Sequence, residues 1–453
     1  MTASLDGARV TVMGLGQFGG GLGAARWLLG QGAHVTVTDK AAESLLAGAV
    51  ASVREVAPPG RLRLVLGGHE ERDFTETDLV VANPAVPQPW DNPFLEAARR
   101  KGVPITTEVG LLVDRLPTDR VVGITGTAGK STVTSMTLRL LQSAGATAWI
   151  GGNFGGSLLA ELDRITPKDW VVLELSSFML HWLGTPEDLG WSPRVAVLTN
   201  LAPNHLDWHR TMAHYSQSKA VIRRFQRPGD RFVTRFERES PAAAAAAGDT
   251  PLGRWWRAPW EPARGPSSAD GIRLPMPGEH SRRNAALAMD AACAALSLEA
   301  AEADHHAAFA TALEAFEPLP HRLQFIGEFR GLRCFNDSKS TTPEATLLAV
   351  NAFPEPRRVH LVAGGYDKQA DLTPIRELAG TIGGLYAIGA TAPKLVGGPG
   401  AMPCGTLEGA VSEAARRASP GDVLLLSPGC ASWDQFTNFE ERGRRFTELV
   451  RSL

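Results

Sequence analysis

A glycine-rich turn between an apolar run and a helical pattern constrains the fold of this chain more than any other stretch. The run Val121-Val-Gly-Ile124 predicts a buried strand, and beyond the turn Val133, Met136 and Leu140 recur at helical spacing. The turn itself reads Gly126-Thr-Ala-Gly-Lys-Ser-Thr132. A strand, a glycine turn and a helix start place backbone N–H groups where they can bind a phosphate. The stretch therefore predicts an α/β domain that binds a nucleoside triphosphate.

The side chains of this turn suit the phosphates of a nucleotide. Gly126 and Gly129 permit unusual backbone angles and the close approach of a ligand. Lys130 can reach the terminal phosphates, and the hydroxyl of Ser131 or Thr132 can ligate Mg²⁺. The alternative is a glycine turn ahead of an ordinary helix, and the Gly-Lys-Ser-Thr run at the helix start favours phosphate binding over it.

The composition is that of an ordinary globular protein with several domains. The chain has 453 residues, of which 43% are hydrophobic and 21% charged, and domains of ~100–200 residues imply two to four of them. A formal net charge of -2 argues against a large basic surface for nucleic acid. The four cysteines form no Cys-x-x-Cys pair, which indicates reduced thiols. With no signal-peptide core and no membrane-spanning run, we expect a cytoplasmic protein that does not insert into membranes.

A second glycine turn lies near the N-terminus and has the pattern of a dinucleotide-binding fold. The strand-like run 8–13 leads into Gly-x-Gly-x-x-Gly, a helical run follows, and the strand-like run 34–39 ends in Asp39. The glycines of the turn are Gly14, Gly16 and Gly19. This setting predicts a Rossmann-like domain that holds a pyrophosphate. A nicotinamide dinucleotide and another nucleotide are both open from these residues, since Asp39 suits any sugar or base.

Polar residues follow the predicted strands in the middle of the chain. Glu174 lies at the end of the apolar run 170–175, where a carboxylate beside a phosphate loop can ligate Mg²⁺; a salt-bridged acid is the alternative. His205 and His209 follow the next strand, but the spacing of the histidines matches neither His-Glu-x-x-His nor a Cys/His ribbon, which disfavours zinc. Lys219 lies in an amphipathic helical stretch, where a lysine is more often a solvated surface residue.

The last third of the chain again alternates strands and helices, which predicts a third α/β unit. Ahead of it, residues 236–270 carry six consecutive alanines and then tryptophans and prolines, and they predict an irregular peripheral insertion. Three polar loops follow apolar runs and carry Lys339, Lys368 and Ser432. Because ligands of open parallel sheets bind beyond the carboxyl ends of the strands, these loops together predict a substrate cleft.

Along its whole length the chain resembles the Mur ligase family. The resemblance rests on the phosphate turn and on a series of further motifs: Gly152-Asn153, Leu173-Glu-Leu-Ser-Ser-Phe178, Asn204-His-Leu-Asp207, Pro320-His-Arg322, Asn336-Asp-Ser-Lys-Ser-Thr341, Gly364-Gly-Tyr-Asp-Lys368 and Leu426-Ser-Pro-Gly-Cys-Ala-Ser432. The family implies three α/β domains: a Rossmann-like domain for a UDP sugar, a central ATPase domain, and a Rossmann-like C-terminal domain that binds the amino acid and closes over the site. We place them at residues 1–109, 110–318 and 319–453.

The resemblance also implies roles for individual residues. The implied ATP contacts are Gly126, Thr127, Gly129, Lys130, Ser131 and Thr132, with Asn284, Arg322 and Asp337 around the adenosine. The implied ligands of Mg²⁺, of which two ions are expected, are Ser131, Glu174 and His205. Lys219 resembles the carbamylated lysine of the family, and carbamylation turns a cation into an oxygen ligand; it completes an implied catalytic set with Lys130, Glu174 and His205. The implied contacts of the UDP substrate are Gly14, Gly16, Gly19, Asp39, Asn83 and Asn153, and those of glutamate are Thr341, Lys368, Ser432 and Phe439.

The activity that the resemblance implies is an ATP-dependent amide ligation by a monomer. Within the family, the Glu-Leu-Ser-Ser-Phe, Asp-Ser-Lys and Ser-Pro-Gly-Cys-Ala-Ser segments point to the ligase that joins D-glutamate to UDP-N-acetylmuramoyl-L-alanine through an acyl phosphate, in peptidoglycan precursor synthesis. The alternatives are a sibling that adds another amino acid, a folylpolyglutamate-type ligase and, from another class, an NAD-dependent oxidoreductase. The last would leave Glu174, His205 and Lys219 without a role. The enantiomer of glutamate depends on site geometry and stays open.

Overall fold

The computed structural model describes residues 4–16, 19–185, 190–235, 269, 271–297, 305–397 and 399–453. The chain divides into two compact units, the first made of Met1–Ser268 and Asn284–Ala312 and the second of Ala269–Arg283 and Leu313–Leu453. Two of the sheets lie in the first unit and one in the second. The predicted insertion at 236–270 lies, apart from residue 269, outside the described residues. The predicted boundaries after residues 109 and 318 stay predictions.

The first sheet is parallel, with the strand order β3-β2-β1-β4-β5. Its strands are β1 (Arg9–Met13), β2 (His34–Asp39), β3 (Leu62–Leu66), β4 (Leu79–Ala82) and β5 (Ile105–Thr106). The helices between and after them are α1 (Gly20–Gly30), α2 (Ala47–Val56), α3 (Arg72–Thr75), α4 (Pro93–Arg100) and α5 (Glu108–Arg115), with a 3-10 turn at Glu43–Leu45. The predicted glycine turn joins the central strand β1 to α1, which puts it at the carboxyl edge of the sheet.

The second sheet is also parallel, in the order β10-β9-β6-β8-β7. Its strands are β6 (Val121–Thr125), β7 (Ala148–Gly152), β8 (Trp170–Glu174), β9 (Val195–Leu198) and β10 (Arg231–Thr234). The helices are α6 (Lys130–Ser143), α7 (Ser177–Leu183), α8 (Leu206–His209), α9 (Met212–Arg224), α10 (Glu279–Ser297) and α11 (His306–Glu314), with a 3-10 turn at Leu159–Arg164. Since β6 lies between β8 and β9, the phosphate turn at its end is flanked by the ends of both neighbours.

The third sheet has the order β11-β12-β16-β13-β14-β15, and only the pair β11–β12 is antiparallel among its described strands. The strands are β11 (Gln324–Phe329), β12 (Leu332–Asn336), β13 (Val359–Gly364), β14 (Gly384–Ile388), β15 (Ala401–Gly405) and β16 (Val423–Leu426). The helices are α12 (Pro343–Val350), α13 (Thr373–Glu377), α14 (Ala392–Leu395), α15 (Leu407–Arg417) and α16 (Phe439–Arg451), with 3-10 turns at Pro356–Arg358 and Leu378–Gly380.

The apolar cores follow from the two-residue period of the strands. In the third sheet, Leu361 and Leu425 pack with α12 and α13 on one face, whereas Val362 and Leu424 pack with α15 and α16 on the other. Successive side chains of a strand point to opposite faces, so strands covered on both faces are continuous apolar runs. The predicted α/β class with parallel sheets is confirmed. Among the helices that the structure describes, none is long and apolar enough to span a membrane.

Candidate active site

The phosphate turn of the second sheet is tightly enclosed by other parts of the first unit. A Cβ atom on Gly126 would lie 1.8 Å from Oγ1 of Thr199, and one on Gly129 would lie 2.7 Å from Oδ1 of Asn284. Gly129 is also the N-cap of α6, with a left-handed φ of 81°. Both positions therefore require glycine. The helix N-terminus that follows offers backbone N–H groups without intrahelical partners, as a phosphate site needs.

Side chains on both sides of the turn hold its backbone. Oδ1 of Asn200 accepts the N–H groups of Thr127 (3.2 Å) and Ala128 (2.9 Å), and its Nδ2 donates to the carbonyl of Ala128 (3.0 Å). The Nζ of Lys130 donates to the carbonyls of Gly126 (3.1 Å) and Thr127 (3.0 Å). The ammonium group thus lies over the turn, where a bound phosphate would meet it.

Glu174 brings two predicted residues together beside the turn. It ends β8 in register with Ile124 of β6, and it is 1% exposed. Its Oε2 accepts the hydroxyl of Ser131 at 2.5 Å, and its Oε1 accepts Nδ2 of Asn153 at 2.7 Å. Asn153, predicted among the contacts of the UDP substrate, therefore lies at the phosphate turn of the second sheet. Hydrogen bonds from Ser131 and Asn153 hold this buried carboxylate in place.

Lys219 lies on α9 and is 1% exposed, which excludes a solvated surface lysine. Its Nζ donates to the carbonyl of Gly126 (2.8 Å) and to Oγ1 of Thr125 (3.3 Å). Burial, together with the charge of Lys130, lowers the pKa of the Lys219 amine well below its ordinary value, while Glu174 acts in the opposite direction. The amine is therefore placed against the phosphate turn in a state that favours the neutral form.

The histidines after β9 include the exposed His205 and a contacting pair, the buried His209 and the half-buried His214. His205 is exposed, directly precedes α8, and has its ring 4.9 Å from that of Phe178. His209 is buried, with Nε2 2.9 Å from Oγ of Ser177 and Nδ1 3.2 Å from Nδ1 of His214. Burial lowers the pKa of His209 to about 3, so its ring is neutral. Within the described residues, no three His, Cys, Asp or Glu side chains form a group that could hold a metal.

The first glycine turn gathers most of the residues predicted to contact the UDP substrate. Gly14, Gly16 and Gly19 all have left-handed φ angles, of 88°, 67° and 93°. Oδ2 of Asp39 accepts the N–H of Gly16 at 3.3 Å. A Cβ on Gly14 would lie 3.0 Å from Cβ of Asn83, which places the ends of β1, β2 and β4 side by side. The structure thus puts these five residues at one sheet edge.

In the second unit, Asp337 is buried directly after β12. Its Oδ1 accepts the N–H of Leu323 at 3.0 Å, and its Oδ2 accepts the hydroxyl of Ser427 at 2.8 Å. Burial raises the pKa of Asp337 to about 6, although these hydrogen bonds and the charge of Arg322 oppose the shift. Arg322 and Asp337 are thus neighbours in the second unit, and the third predicted adenosine contact lies at the phosphate turn of the first.

Of the four residues predicted to contact glutamate, three lie on loops after strands of the third sheet and Phe439 begins α16. Ser432 follows β16 and is 2% exposed, and Phe439 is the first residue of α16. Thr341 follows β12 and precedes α12. Lys368 follows β13, is exposed, and has its Nζ 4.8 Å from the ring centroid of Trp433. Hydroxyl donors and a cation therefore share this edge.

A buried carboxyl also lies between the two sheets of the first unit. Glu108 is the first residue of α5 and is 5% exposed. It accepts the hydroxyl of Ser157 at 2.5 Å, and Ser157 lies so close to α1 that a Cβ on Gly23 would be 2.7 Å from its own Cβ. Burial raises the pKa of Glu108 to about 7, which the hydrogen bond from Ser157 partly opposes.

Three family models match consecutive parts of the chain. They are a Mur ligase MurD-like N-terminal domain at residues 8–107, a Mur ligase middle domain at 124–250 and a Mur ligase glutamate ligase domain at 321–430. A protein of Anaeromyxobacter dehalogenans named UDP-N-acetylmuramoylalanine–D-glutamate ligase is 39% identical over 98% of both chains. A Roseiflexus protein of the same name is 37% identical over 99% of both. The chain belongs to the Mur ligase family.

Solved structures share the fold of this Mur ligase. The MurF ligase of Thermotoga maritima, determined in complex with ADP, matches with a TM-score of 0.58 at 17% identity over 100% of both chains. The UDP-N-acetylmuramate-alanine ligase MurC of the same organism matches with a TM-score of 0.56 at 18% identity, over 98% of this chain and 99% of that one. At these identities the likeness concerns the fold alone.

Some hydrogen bonds at the phosphate turn of this Mur ligase could not be predicted from the sequence. Oγ1 of Thr199 donates to the carbonyl of Ala128 at 2.6 Å, and the hydroxyl of Tyr215 lies 2.9 Å from Oγ1 of Thr127. The available signal was position, because Thr199 and Asn200 close a predicted strand at the edge where ligands bind. Tyr215 on α9 is among the residues that carry the family resemblance, but helical periodicity alone does not say which strand a residue faces.

Proposed function

We propose that this Mur ligase joins D-glutamate to UDP-N-acetylmuramoyl-L-alanine with consumption of ATP. The observation that carries the proposal is the convergence of Lys130, Ser131, Glu174 and Lys219 around one phosphate turn. The name UDP-N-acetylmuramoylalanine–D-glutamate ligase, borne by the relatives, supports the choice of substrates. The proposal assigns residues 1–109 to the UDP sugar, 110–318 to ATP and 319–453 to the amino acid.

In the proposed first step, the terminal carboxylate of UDP-N-acetylmuramoyl-L-alanine attacks the γ-phosphorus of ATP. The bond from that phosphorus to the β,γ-bridging oxygen breaks, which gives an acyl phosphate and ADP. The N–H groups at the start of α6 and the ammonium of Lys130 stabilise the charge on the transferring group. Asn284, Arg322 and Asp337 are assigned to the adenosine. Nζ of Lys130 donates to two neutral carbonyls of the turn, and a phosphate is a stronger partner than a neutral carbonyl.

Ser131, Glu174 and His205 are the residues that would hold Mg²⁺, and we propose two ions. The hydroxyl of Ser131 and the carboxylate of Glu174 lie 2.5 Å apart and are both buried. Such hard oxygen donors suit Mg²⁺, which is commonly bound by one or two protein ligands together with substrate phosphates. When bound, the metal neutralises charge on the transferring phosphoryl group.

Lys219 is proposed to carry a carbamate. A neutral amine can attack CO₂ and lose a proton, and the product has two oxygen atoms in place of an ammonium. Support comes from the burial of the amine and from the lowered pKa that this burial causes. A cation at this position would instead lie close to Lys130, which disfavours it electrostatically.

In the proposed second step, the amine of D-glutamate attacks the acyl carbon, inorganic phosphate leaves, and the nitrogen loses a proton. Thr341, Lys368, Ser432 and Phe439 are assigned to glutamate, where a lysine ammonium and hydroxyl donors suit two carboxylates. The first glycine turn is assigned to the UDP pyrophosphate, since it presents an N-terminus of α1 and glycines that allow close approach.

The test of this function is substrate-dependent ADP release by the purified chain with ATP and Mg²⁺. We expect release only when UDP-N-acetylmuramoyl-L-alanine and D-glutamate are both present, with a peptide-bonded product in equal amount. Equal release with L-glutamate, lysine or diaminopimelate would show that a different ligase activity is present. Tight binding of a nicotinamide dinucleotide in place of the UDP substrate would favour the oxidoreductase alternative.

A further inference from the structure

Among the described residues of the second unit, the most deeply buried cation, Arg442, has no carboxylate among its hydrogen-bond acceptors. The guanidinium of Arg442, on α16, belongs to a residue that is 1% exposed. Within the part of the chain that the structure describes, its hydrogen-bond acceptors are three backbone carbonyls and one hydroxyl. A buried charge that no carboxylate hydrogen-bonds is costly to maintain, and burial lowers the pKa of Arg442 to about 10, while the nearby charge of Asp434 acts in the opposite direction. The side chain nevertheless stays cationic at neutral pH.

These hydrogen bonds join loops from different strands. Nε donates to Oγ of Ser338 (3.0 Å) and Nη2 to the carbonyl of the same residue (2.7 Å), on the loop after β12. Nη1 donates to the carbonyls of Cys430 (3.1 Å) and Ala431 (3.2 Å), on the loop after β16. A Cβ on Gly365, in the loop after β13, would lie 3.2 Å from Nη1. One planar group thus packs against three loops at the carboxyl edge of the third sheet.

Arg442 and the loop residues that it contacts each lie close in sequence to a residue that the proposed function assigns to glutamate. Ala431 directly precedes Ser432, and Ser338 lies three residues before Thr341. Gly365 lies three residues before Lys368, and Phe439 lies three residues before Arg442 itself on α16.

Two further hydrogen bonds close the arrangement. The hydroxyl of Ser338 donates to the carbonyl of Phe439 at 2.8 Å, and the N–H of Tyr366 donates to the carbonyl of Ala431 at 2.9 Å. The loop after β12 is thereby fixed to the start of α16, and the loop after β13 to the loop after β16. All four assigned segments are cross-linked within a few residues of the guanidinium.

We propose that Arg442 is a positioning residue for the amino-acid substrate, because its buried guanidinium fixes the four segments that carry the glutamate contacts and supplies positive potential to a dicarboxylate. This inference rests on the proposed function. The planar fork sets the spacing of the loops, which a lysine ammonium cannot reproduce. The positive charge adds an attraction that a neutral side chain lacks. Acyl phosphate formation, in contrast, requires no glutamate.

The experiment compares Arg442→Lys and Arg442→Met with the wild type in two assays. Ligation of D-glutamate gives kcat and KM for each substrate, and hydroxylamine, a small amine, traps the acyl phosphate as a hydroxamate in the absence of glutamate. For Arg442→Met we expect the KM for D-glutamate to rise on the order of 30-fold, the size expected for lost hydrogen bonds to a charged group. For Arg442→Lys we expect a smaller rise, of roughly fivefold, since the charge remains. Hydroxamate formation and the KM for UDP-N-acetylmuramoyl-L-alanine should stay close to the wild-type values.

Arg445→Met is the matched control, one turn along the same helix. Arg445 is exposed and pairs with Glu408 at 2.8 Å and Glu448 at 3.2 Å, so its loss should leave the KM for D-glutamate unchanged. An unchanged KM for D-glutamate in both Arg442 variants overturns the inference. A parallel loss of hydroxamate and ligation in both variants also overturns it, because that pattern belongs to a general structural role. If the wild type traps hydroxamate but ligates no D-glutamate, the proposed substrate fails, and the inference fails with it.

Discussion

The two glycine turns of the first unit share their local geometry and differ in what surrounds them. Both follow a central strand, and both end in a left-handed glycine N-cap, Gly19 at φ 93° and Gly129 at φ 81°. The first continues into a helix without a charged residue in its first turn, and its acid, Asp39, bonds the backbone of Gly16. The second continues into Lys130 and faces buried charged residues from β8 and α9.

A glycine turn by itself can bind a phosphate, whereas phosphoryl transfer also needs charged side chains from other parts of the chain. At the second turn, Glu174 and Lys219 are each 1% exposed, and both contact the turn or the helix that follows it. Electrostatic interactions are strong in such a dry setting. At the first turn, the described residues around the glycines can position a ligand, and none of them is a buried charged side chain of the kind that Glu174 and Lys219 provide at the second turn. Substitutions at Lys130, Lys219, Asp39 and Glu108 test this contrast between the two turns.

Replacing Lys130 by Met should lower kcat for ligation by about 1000-fold, because it removes a cation aimed at the transferring phosphoryl group. ADP release under saturating substrates measures the effect. Lys168→Met is the control, since Lys168 is exposed and far along the chain from the turn, and it should behave as wild type. A Lys130 variant within tenfold of the wild type would contradict the contrast between the two turns.

Replacing Lys219 by Ala should lower kcat by about 100-fold, the effect expected when a group that supports a metal site is lost. Wild-type activity should also fall in buffer freed of CO₂ and return when bicarbonate is added. Bicarbonate should not rescue the variant, because no amine is left to form a carbamate. Full activity of Lys219→Ala, or a wild type indifferent to CO₂, would rule out the carbamate.

Replacing Asp39 by Ala should raise the KM for UDP-N-acetylmuramoyl-L-alanine by roughly tenfold, since the N–H of Gly16 in the first turn loses its charged acceptor. The KM for ATP should not change, because the second turn is separate. Asp78→Ala serves as the control: Asp78 lies at the opposite end of the first sheet, where it pairs with Arg9 at 2.7 Å. Equal changes in both KM values would show that the two turns do not act independently.

Replacing Glu108 by Gln should change stability more than activity. The folded protein holds Glu108 protonated up to about pH 7, whereas the ordinary value is 4.5. Folding therefore takes up a proton in this window, and the contribution of Glu108 to stability falls as pH rises through it, by at most about 3 kcal/mol. A glutamine stays neutral throughout. We expect the melting temperature of the variant, relative to wild type, to increase from about pH 5 to about pH 7.5.

The control for this smallest effect is Glu71→Gln, at an exposed position of the same domain. Its melting temperature should follow the wild type across the pH range. If the Glu108 variant does the same, the Glu108 carboxyl is not protonated in the folded protein at these pH values.

The sequence predicted the central strands and missed strands at the edges. Four strands without a predicted apolar run, β3, β10, β11 and β15, are each the outermost strand of a sheet. Their side chains are mostly half-buried or exposed, as in the pattern of β11, where none is fully buried. A strand covered on both faces must be apolar throughout, whereas an edge strand carries no such requirement. The periodic signal is therefore weakest at the sheet edges.

The residues of the candidate site also differ in how well the sequence predicts them. The phosphate turn, Glu174 and the polar loops of the third sheet could be predicted, because strand ends and glycines mark them in the sequence. Lys219 would be a surface lysine by frequency alone, and only the family resemblance indicated otherwise. Arg442 carried no motif at all. For residues on helices the 3.6-residue period predicts a buried face but not the partner of that face.

By itself, the sequence determined where the chain is apolar, where it must turn, and which turns can bind phosphate, because these properties depend on residue type and spacing within a few positions. It also carried enough family motifs to indicate a ligase. Only the tertiary structure decided that Lys219 is buried against the carbonyl of Gly126, that Asn153 and Ser131 share one carboxylate, and that Arg442 ties three loops together. These contacts connect residues that are far apart in the chain, and the free energies of the contacts depend on burial, which only packing establishes.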